Sequence, residues 1–177
     1  SIPNGNTGVV DKQEYTLSPS SSPPNKNFCY NLPMRKGVDH IGVSVVFFCH
    51  NGKGKFVMSK RSNKTRDEHG RWDPGGGSIE FEESIEDALK REVKEEYCTK
   101  IIESEFLGFR DVHRIDKNGN KTHWIALDFK VLVDEKKVKN GEPRAHEEIG
   151  WFTLDNLPSP VHSQFPEFIK KYRKFLN

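Results

Sequence analysis

Gly77, Glu83, Arg91, Glu92, Glu95 and Glu96 stand at the spacing G-x5-E-x7-R-E-V-x-E-E. Carboxylates brought together repel one another and are costly to bury unpaired. A fixed set of them beside an arginine therefore points to a bound cation. Carboxylate oxygens suit hard dications such as Mg²⁺ or Mn²⁺. Such an ion can neutralise negative charge on a bound ligand and activate water.

A helix must hold these acids. Ser84 followed by Asp87 resembles a capping box with an acid in the third helical position. No proline or glycine interrupts the next thirteen positions, so a helix is predicted from about Ser84 to Tyr97. At ~100° per residue, Ile85, Ala88 and Leu89 share one side. Glu92 and Glu96 continue that stripe and Glu95 borders it, whereas Arg91 is predicted to point away from it. Glu83 precedes the helix, and an Arg91–Glu83 pair could pin the preceding segment to it. That segment, Gly75-Gly76-Gly77 after Pro74, is expected to be a loop that permits unusual φ values and close backbone approach to a ligand. Helices rich in Glu and Lys are usually solvated faces, but a solvated face does not require this complete spacing.

The set resembles the Nudix hydrolase box, G-x5-E-x7-R-E-U-x-E-E-x-G-U with U aliphatic. Gly77, Glu83, Arg91, Glu92, Val93, Glu95 and Glu96 match it. Cys98 stands where the family has glycine and Thr99 where it has an aliphatic residue. The family glycine sits just past the helix in a left-handed conformation. Cys98 would cost ~1 kcal/mol there, so a slightly adjusted helix end is expected. The resemblance implies an α/β fold: a Nudix-type α/β/α sandwich with a mixed β-sheet, the box helix and a C-terminal helix. It implies Glu92, Glu95 and Glu96, with the Gly76 carbonyl, as ligands of Mg²⁺ or Mn²⁺. Arg91 and Glu83 would orient the site. Glu92 or Glu95 in the box, or Glu148 in a later loop, would be the general base.

Composition fits one enzyme domain. The chain has 177 residues, enough for a proper core, and a net charge of +2, too small to argue for nucleic acid. No apolar run approaches membrane-spanning length, and the N-terminus lacks a basic-then-apolar signal pattern. Three widely spaced cysteines, Cys29, Cys49 and Cys98, suggest reduced thiols and a cytoplasmic protein. Residues 1–36 are rich in Ser, Pro, Asn and Gly and are expected to form an irregular arm. Val9-Val10 and Phe28-Cys29-Tyr30 could dock it on the domain, residues 37–177, or on a second subunit. The family often forms dimers, so a homodimer is allowed.

Within that domain, His40–Cys49 and Lys55–Arg61 are predicted strands around an Asn51–Gly54 turn. Arg71–Pro74 is a short strand, and Ser62–Gly70 a loop. Ile101–Arg114 and Thr122–Val133 are strands around a turn at Asp116–Asn120. Asp134–Glu147 is a charged loop, Ile149–Thr153 a last strand, and Gln164–Leu176 a terminal helix. Its predicted packing face carries Phe168, Ile169, Tyr172, Phe175 and Leu176.

Phosphate contacts are expected from Arg61, Lys60 and Arg71, together with the backbone of Gly75, Gly76 and Gly77. Trp72, Trp124 and Phe47 could stack on a base, and Asp39-His40 and His123 could contact substrate. One glutamate of His146-Glu147-Glu148 is expected to face the metal. The resemblance implies a small nucleotide as substrate. Family members acting on ADP-ribose tend to carry a proline some way past the box, and Asp111–Asp116 has none. Signatures for diadenosine polyphosphates and coenzyme A are also missing. The default is a MutT-like nucleoside triphosphate pyrophosphohydrolase. The alternatives are a hydrolase of ADP-ribose or a nucleotide sugar, and a non-catalytic regulatory module.

Overall fold

Every second residue of the first strand faces the same way, and here both faces are apolar. The computed structural model describes residues 34–176, and β1 spans Gly42–His50 within it. Val45, Phe47 and Cys49 lie in one core with Ala88, Leu89, Val93 and Tyr97 of the box helix α1, Ile85–Tyr97. Phe48, on the opposite face, lies in a second core with Phe165, Phe168, Tyr172 and Leu176 of the terminal helix α2, Phe165–Leu176. A helix on each face makes the predicted α/β/α sandwich. Burying one such Leu or Phe is worth roughly 1.5–3 kcal/mol.

The other strands are β2 Phe56–Arg61, β3 Trp72–Asp73, β4 Gly76–Ser78, β5 Ile101–Ile115, β6 Lys121–Val133 and β7 His146–Phe152. They form one mixed sheet in the order β3-β2-β1-β6-β5, with β4 also paired to β1 and β7 to β2. The β1–β6 pair is parallel and the rest are antiparallel. β1 changes partner along its length. His50 pairs with Phe56 of β2, whereas Ser44–Val46 pair with Ser78–Gly76 of β4.

Four expectations are corrected. The glycine segment is not wholly a loop: Gly76 and Gly77 form β4, held in register by the β1 backbone. His146-Glu147-Glu148 lies on β7, not in a loop, because β2 offers a partner as far as Arg61. Phe175 is exposed at 42%, while Phe165, one turn before Phe168, takes a place in the core. Cys98 keeps the left-handed conformation, with φ 52° and ψ 23°, and its N–H bonds the Lys94 carbonyl at 3.0 Å. The helix end has not adjusted.

The proposed arm lies outside the described residues except for its last three. Cys49 is a buried free thiol and Cys98 an exposed one, while Cys29 also lies outside. Among the described residues, no helix is long and apolar enough to cross a membrane.

Candidate active site

Ser84 caps α1 as its sequence suggests, accepting the Asp87 N–H at 3.1 Å while its hydroxyl donates to the Asp87 carboxylate at 2.7 Å. The helix thereby starts at Ile85, two residues after Glu83. Arg91 does not point away from the Glu92 stripe. Its guanidinium grips both Glu83 oxygens at 2.7 and 2.8 Å and donates to the Ser78 carbonyl at 3.1 Å. Its remaining terminal nitrogen reaches Glu92 at 2.6 Å and Glu95 at 3.2 Å. A planar fork on a long stem can serve several acceptors at once. Arg91 thus ties the glycine strand, the pre-helical turn and two box glutamates together. This fork, with the Glu80 N–H, lowers the Glu83 pKa to about 2.

The glycines let the acids lie directly on the strand. A Cβ on Gly77 would fall 1.9 Å from the Glu92 carboxylate carbon, and one on Gly75 would fall 2.7 Å from Glu96 Oε2. Glu96 Oε1 accepts the Gly76 N–H at 3.0 Å. Tyr97 donates to the Pro74 carbonyl at 2.9 Å, fixing the entry to the glycines.

Three carboxyl groups here have raised pKa values. Burial pushes Glu96 well up, opposed by the Gly76 N–H and reinforced by Asp73, Glu92 and Glu142. Burial also raises Glu92; Arg91 works against this, and Glu95 and Glu142 add to it. Glu142 is raised by burial and by Glu95. Glu96 Oε2 and His146 Nδ1 are buried with no hydrogen-bond partner. One ligand atom each from Glu96, Glu142 and His146 lies within 4.8 Å of the others. Mutually repelling carboxylates and an orphaned oxygen fit a divalent cation, which would remove both penalties.

Glu142 carries no spacing signal and was not among the predicted residues. It is brought in by the loop before β7, whose amides cap the end of α1: Lys139 N–H bonds the Tyr97 carbonyl and Gly141 N–H the Glu96 carbonyl, at 3.0 and 2.9 Å. Only glycine fits at 141, because a Cβ would sit 1.9 Å from the Glu95 carbonyl oxygen. A glycine in an otherwise charged loop is the sole sequence hint of that approach. Glu148 is exposed on β7, opposite Lys60. Glu147 is also exposed, 3.7 Å from Lys60 Nζ.

Beside the acids, a cleft of about 320 Å³ is lined by the backbone of Gly75–Ser78, by Arg61, Arg66, Arg110 and Arg114, and by Trp124. The box glutamates do not line it; the glycine strand borders both. Arg61 reaches it held between Asp67 and Asp73, each at 3.2 Å. Arg66 lies over the Trp124 ring at 5.2 Å. Arg110 is buried and makes two 2.8 Å bonds to the fully buried Asp128. Lys60 and Arg71 do not line the cleft; Arg71 pairs with Glu68 at 3.2 Å and donates to the Val161 carbonyl at 2.9 Å. Of the three aromatic candidates only Trp124 lines it, since Trp72 and Phe47 are buried core. His123 and Asp39-His40 border a separate depression.

The profile of the NUDIX domain matches residues 39–172. The fold is similar to the MutT NUDIX hydrolase of Burkholderia pseudomallei, with a TM-score of 0.64 and 28% identity over 75% of this chain and 98% of that one. It is similar to the MutT protein of Methanosarcina mazei Go1, with a TM-score of 0.65 and 25% identity over 76% and 94%. The NUDIX domain of Shewanella oneidensis NrtR, solved with ADP ribose, shares the fold with a TM-score of 0.58 and 19% identity over 77% and 88%. The chain therefore belongs to the Nudix family, hydrolases of pyrophosphate bonds in nucleoside diphosphate derivatives.

Proposed function

We propose that this hydrolase is a Mg²⁺-dependent nucleoside triphosphate pyrophosphohydrolase that releases a nucleoside monophosphate and pyrophosphate. The carrying observation is that Glu92 and Glu96 are seated on the same glycine strand that borders the Trp124 cleft. A nucleoside in the cleft would thus present its phosphates to the acids. Glu92, Glu95 and Glu96, with the Gly76 carbonyl and Glu142, would hold the cation. When bound, it supplies charge neutralisation at phosphate oxygens and lowers the pKa of water.

The chain's own groups do the rest. Arg91 and Glu83 hold the glycine strand against the helix, so Glu92 and Glu95 keep their positions. Of the candidate bases, Glu92 and Glu95 are held by Arg91 beside the acids, whereas Glu148 lies exposed on β7 opposite Lys60. Trp124, whose ring carries Arg66 at 5.2 Å, would stack on the base as Arg66 moves aside. Arg61 and Arg66 line the cleft and would contact phosphate oxygens, with Arg61 partly neutralised by its two aspartates.

A substrate panel with Mg²⁺ tests this, reading pyrophosphate against monophosphate release. Nucleoside triphosphates are expected to turn over fastest and to yield pyrophosphate. Faster cleavage of ADP-ribose or a nucleotide sugar would replace the proposal with the NDP-X alternative. Tight nucleotide binding without any turnover would make the protein a regulatory module.

A further inference from the structure

The face of the β5–β6 pair turned away from the cleft carries a second ligand-bearing group. Arg110, Val112 and Arg114 of β5 and Trp124 and Ala126 of β6 line the cleft. The intervening residues Asp111, His113 and His123 belong to the opposite face, as strand alternation requires. His113 and His123 are direct partners in the antiparallel ladder. Their rings stack with centroids 4.1 Å apart, and Asp111 Oδ1 lies 3.3 Å from His123 Nε2. One ligand atom from each of the three lies within 4.8 Å of the others.

Asp111 and His113 are exposed and His123 is half-buried. Two imidazoles facing each other with a carboxylate beside them present nitrogen and oxygen ligands together. Cross-strand partners lie close enough for both rings to reach one ion. Two imidazole nitrogens and one carboxylate oxygen suit a borderline ion of the Zn²⁺ type, whereas Mg²⁺ prefers oxygen.

We propose that Asp111, His113 and His123 form a transition-metal site that takes a dication of the Zn²⁺ class, separate from the carboxylate cluster on the box helix. Such an ion cross-links β5 and β6 directly behind the cleft wall that holds Val112, Arg114 and Trp124. It would stiffen that wall without touching substrate.

The test is calorimetric titration of the full chain with Zn²⁺ in excess Mg²⁺, beside NMR of the histidine ring protons. The His113 and His123 resonances are expected to move with Zn²⁺ and not with Mg²⁺. Loss of a supporting partner alone weakens metal sites roughly 10–100-fold, so His113→Asn and His123→Asn should each weaken Zn²⁺ binding by at least that. Asp111→Asn should weaken it less, and Glu96→Gln should leave it intact. The Asp111, His113 and His123 variants should keep the wild-type melting temperature in EDTA, because none of these side chains is fully buried. Zn²⁺ binding unchanged in both histidine variants, or lost in Glu96→Gln, overturns the proposal.

Discussion

Replacing Glu96 with Gln is expected to stabilise the metal-free protein while removing its turnover. Glu96 is only 5% exposed, and one carboxylate oxygen has no partner. Gln keeps the Oε1 that accepts the Gly76 N–H and places an NH₂ where it can donate toward Glu142 or His146. An unsatisfied buried polar atom costs about 1–3 kcal/mol. At about 2–4 °C per kcal/mol for a chain of this length, removing it should raise the melting temperature in EDTA by roughly 2–12 °C. The pH dependence has a definite sign. The Glu96 pKa is raised on folding from its ordinary 4.5, so the native state holds a proton that the unfolded chain releases. Wild-type stability in EDTA therefore falls as pH rises above about 4.5, until the native pKa is passed, and the advantage of Gln grows over that window. Mg²⁺ should reverse the order, since a ligand at 100 times its Kd adds about 2.7 kcal/mol to the wild type and little to the variant. Thermal unfolding with and without Mg²⁺, at several pH values, reads all of this. Pyrophosphate release should fall about a hundredfold or more. A variant less stable than wild type in EDTA, with turnover retained, would refute the assignment of Glu96 as a buried metal ligand.

Three further substitutions probe the frame. Gly77→Ala puts a methyl group 1.9 Å from the Glu92 carboxylate carbon, and a misplacement of about 1 Å costs roughly a hundredfold in rate; circular dichroism should stay native, and unchanged kcat would contradict the contact. Cys98→Gly relieves a left-handed cysteine worth about 1–2 kcal/mol, so the melting temperature should rise by roughly 2–8 °C at unchanged turnover. Arg91→Lys keeps the charge but loses the fork onto Glu83 and the reach to Ser78, charge-assisted bonds worth about 1.5–3 kcal/mol each; wild-type stability and rate in that variant would show that only the charge matters.

The box helix is legible because its determinants are local. Ser84 and Asp87 set its start, and Ala88, Leu89 and Val93 set the face it buries. The carboxylates follow from the same periodicity, and Glu92 and Glu96 do converge on the glycines. Arg91 is misplaced by that reasoning because a helical wheel locates a Cβ, whereas a guanidinium acts several ångströms away from it. The three glycines read as a loop because their lack of side chains hides the partner. It is the backbone of Ser44–Val46 that makes β4 a strand. Glu142 is illegible for a related reason. Its position depends on two amides capping a helix more than forty residues earlier, and on a glycine that lets the chains touch.

The cleft wall depends on one irregularity that no periodicity reveals. Phe106 pairs with Phe129, yet Gly108 pairs with Asp128, so Leu107 is an extra residue and the β5–β6 register slips there. A slip of one residue exchanges the two faces of everything beyond it. Phe129 packs on the α1 side, with Phe106 against it at 5.2 Å. Beyond the bulge, Arg110 turns instead to Asp128, with its guanidinium over the Phe168 ring at 5.5 Å on the α2 side. Strict alternation carried forward from Phe106 would place Arg110, Val112 and Arg114 on the face away from the cleft, and Asp111 and His113 within it. The single bulged residue therefore decides that the arginines meet the substrate cleft and that the histidine pair lies behind it.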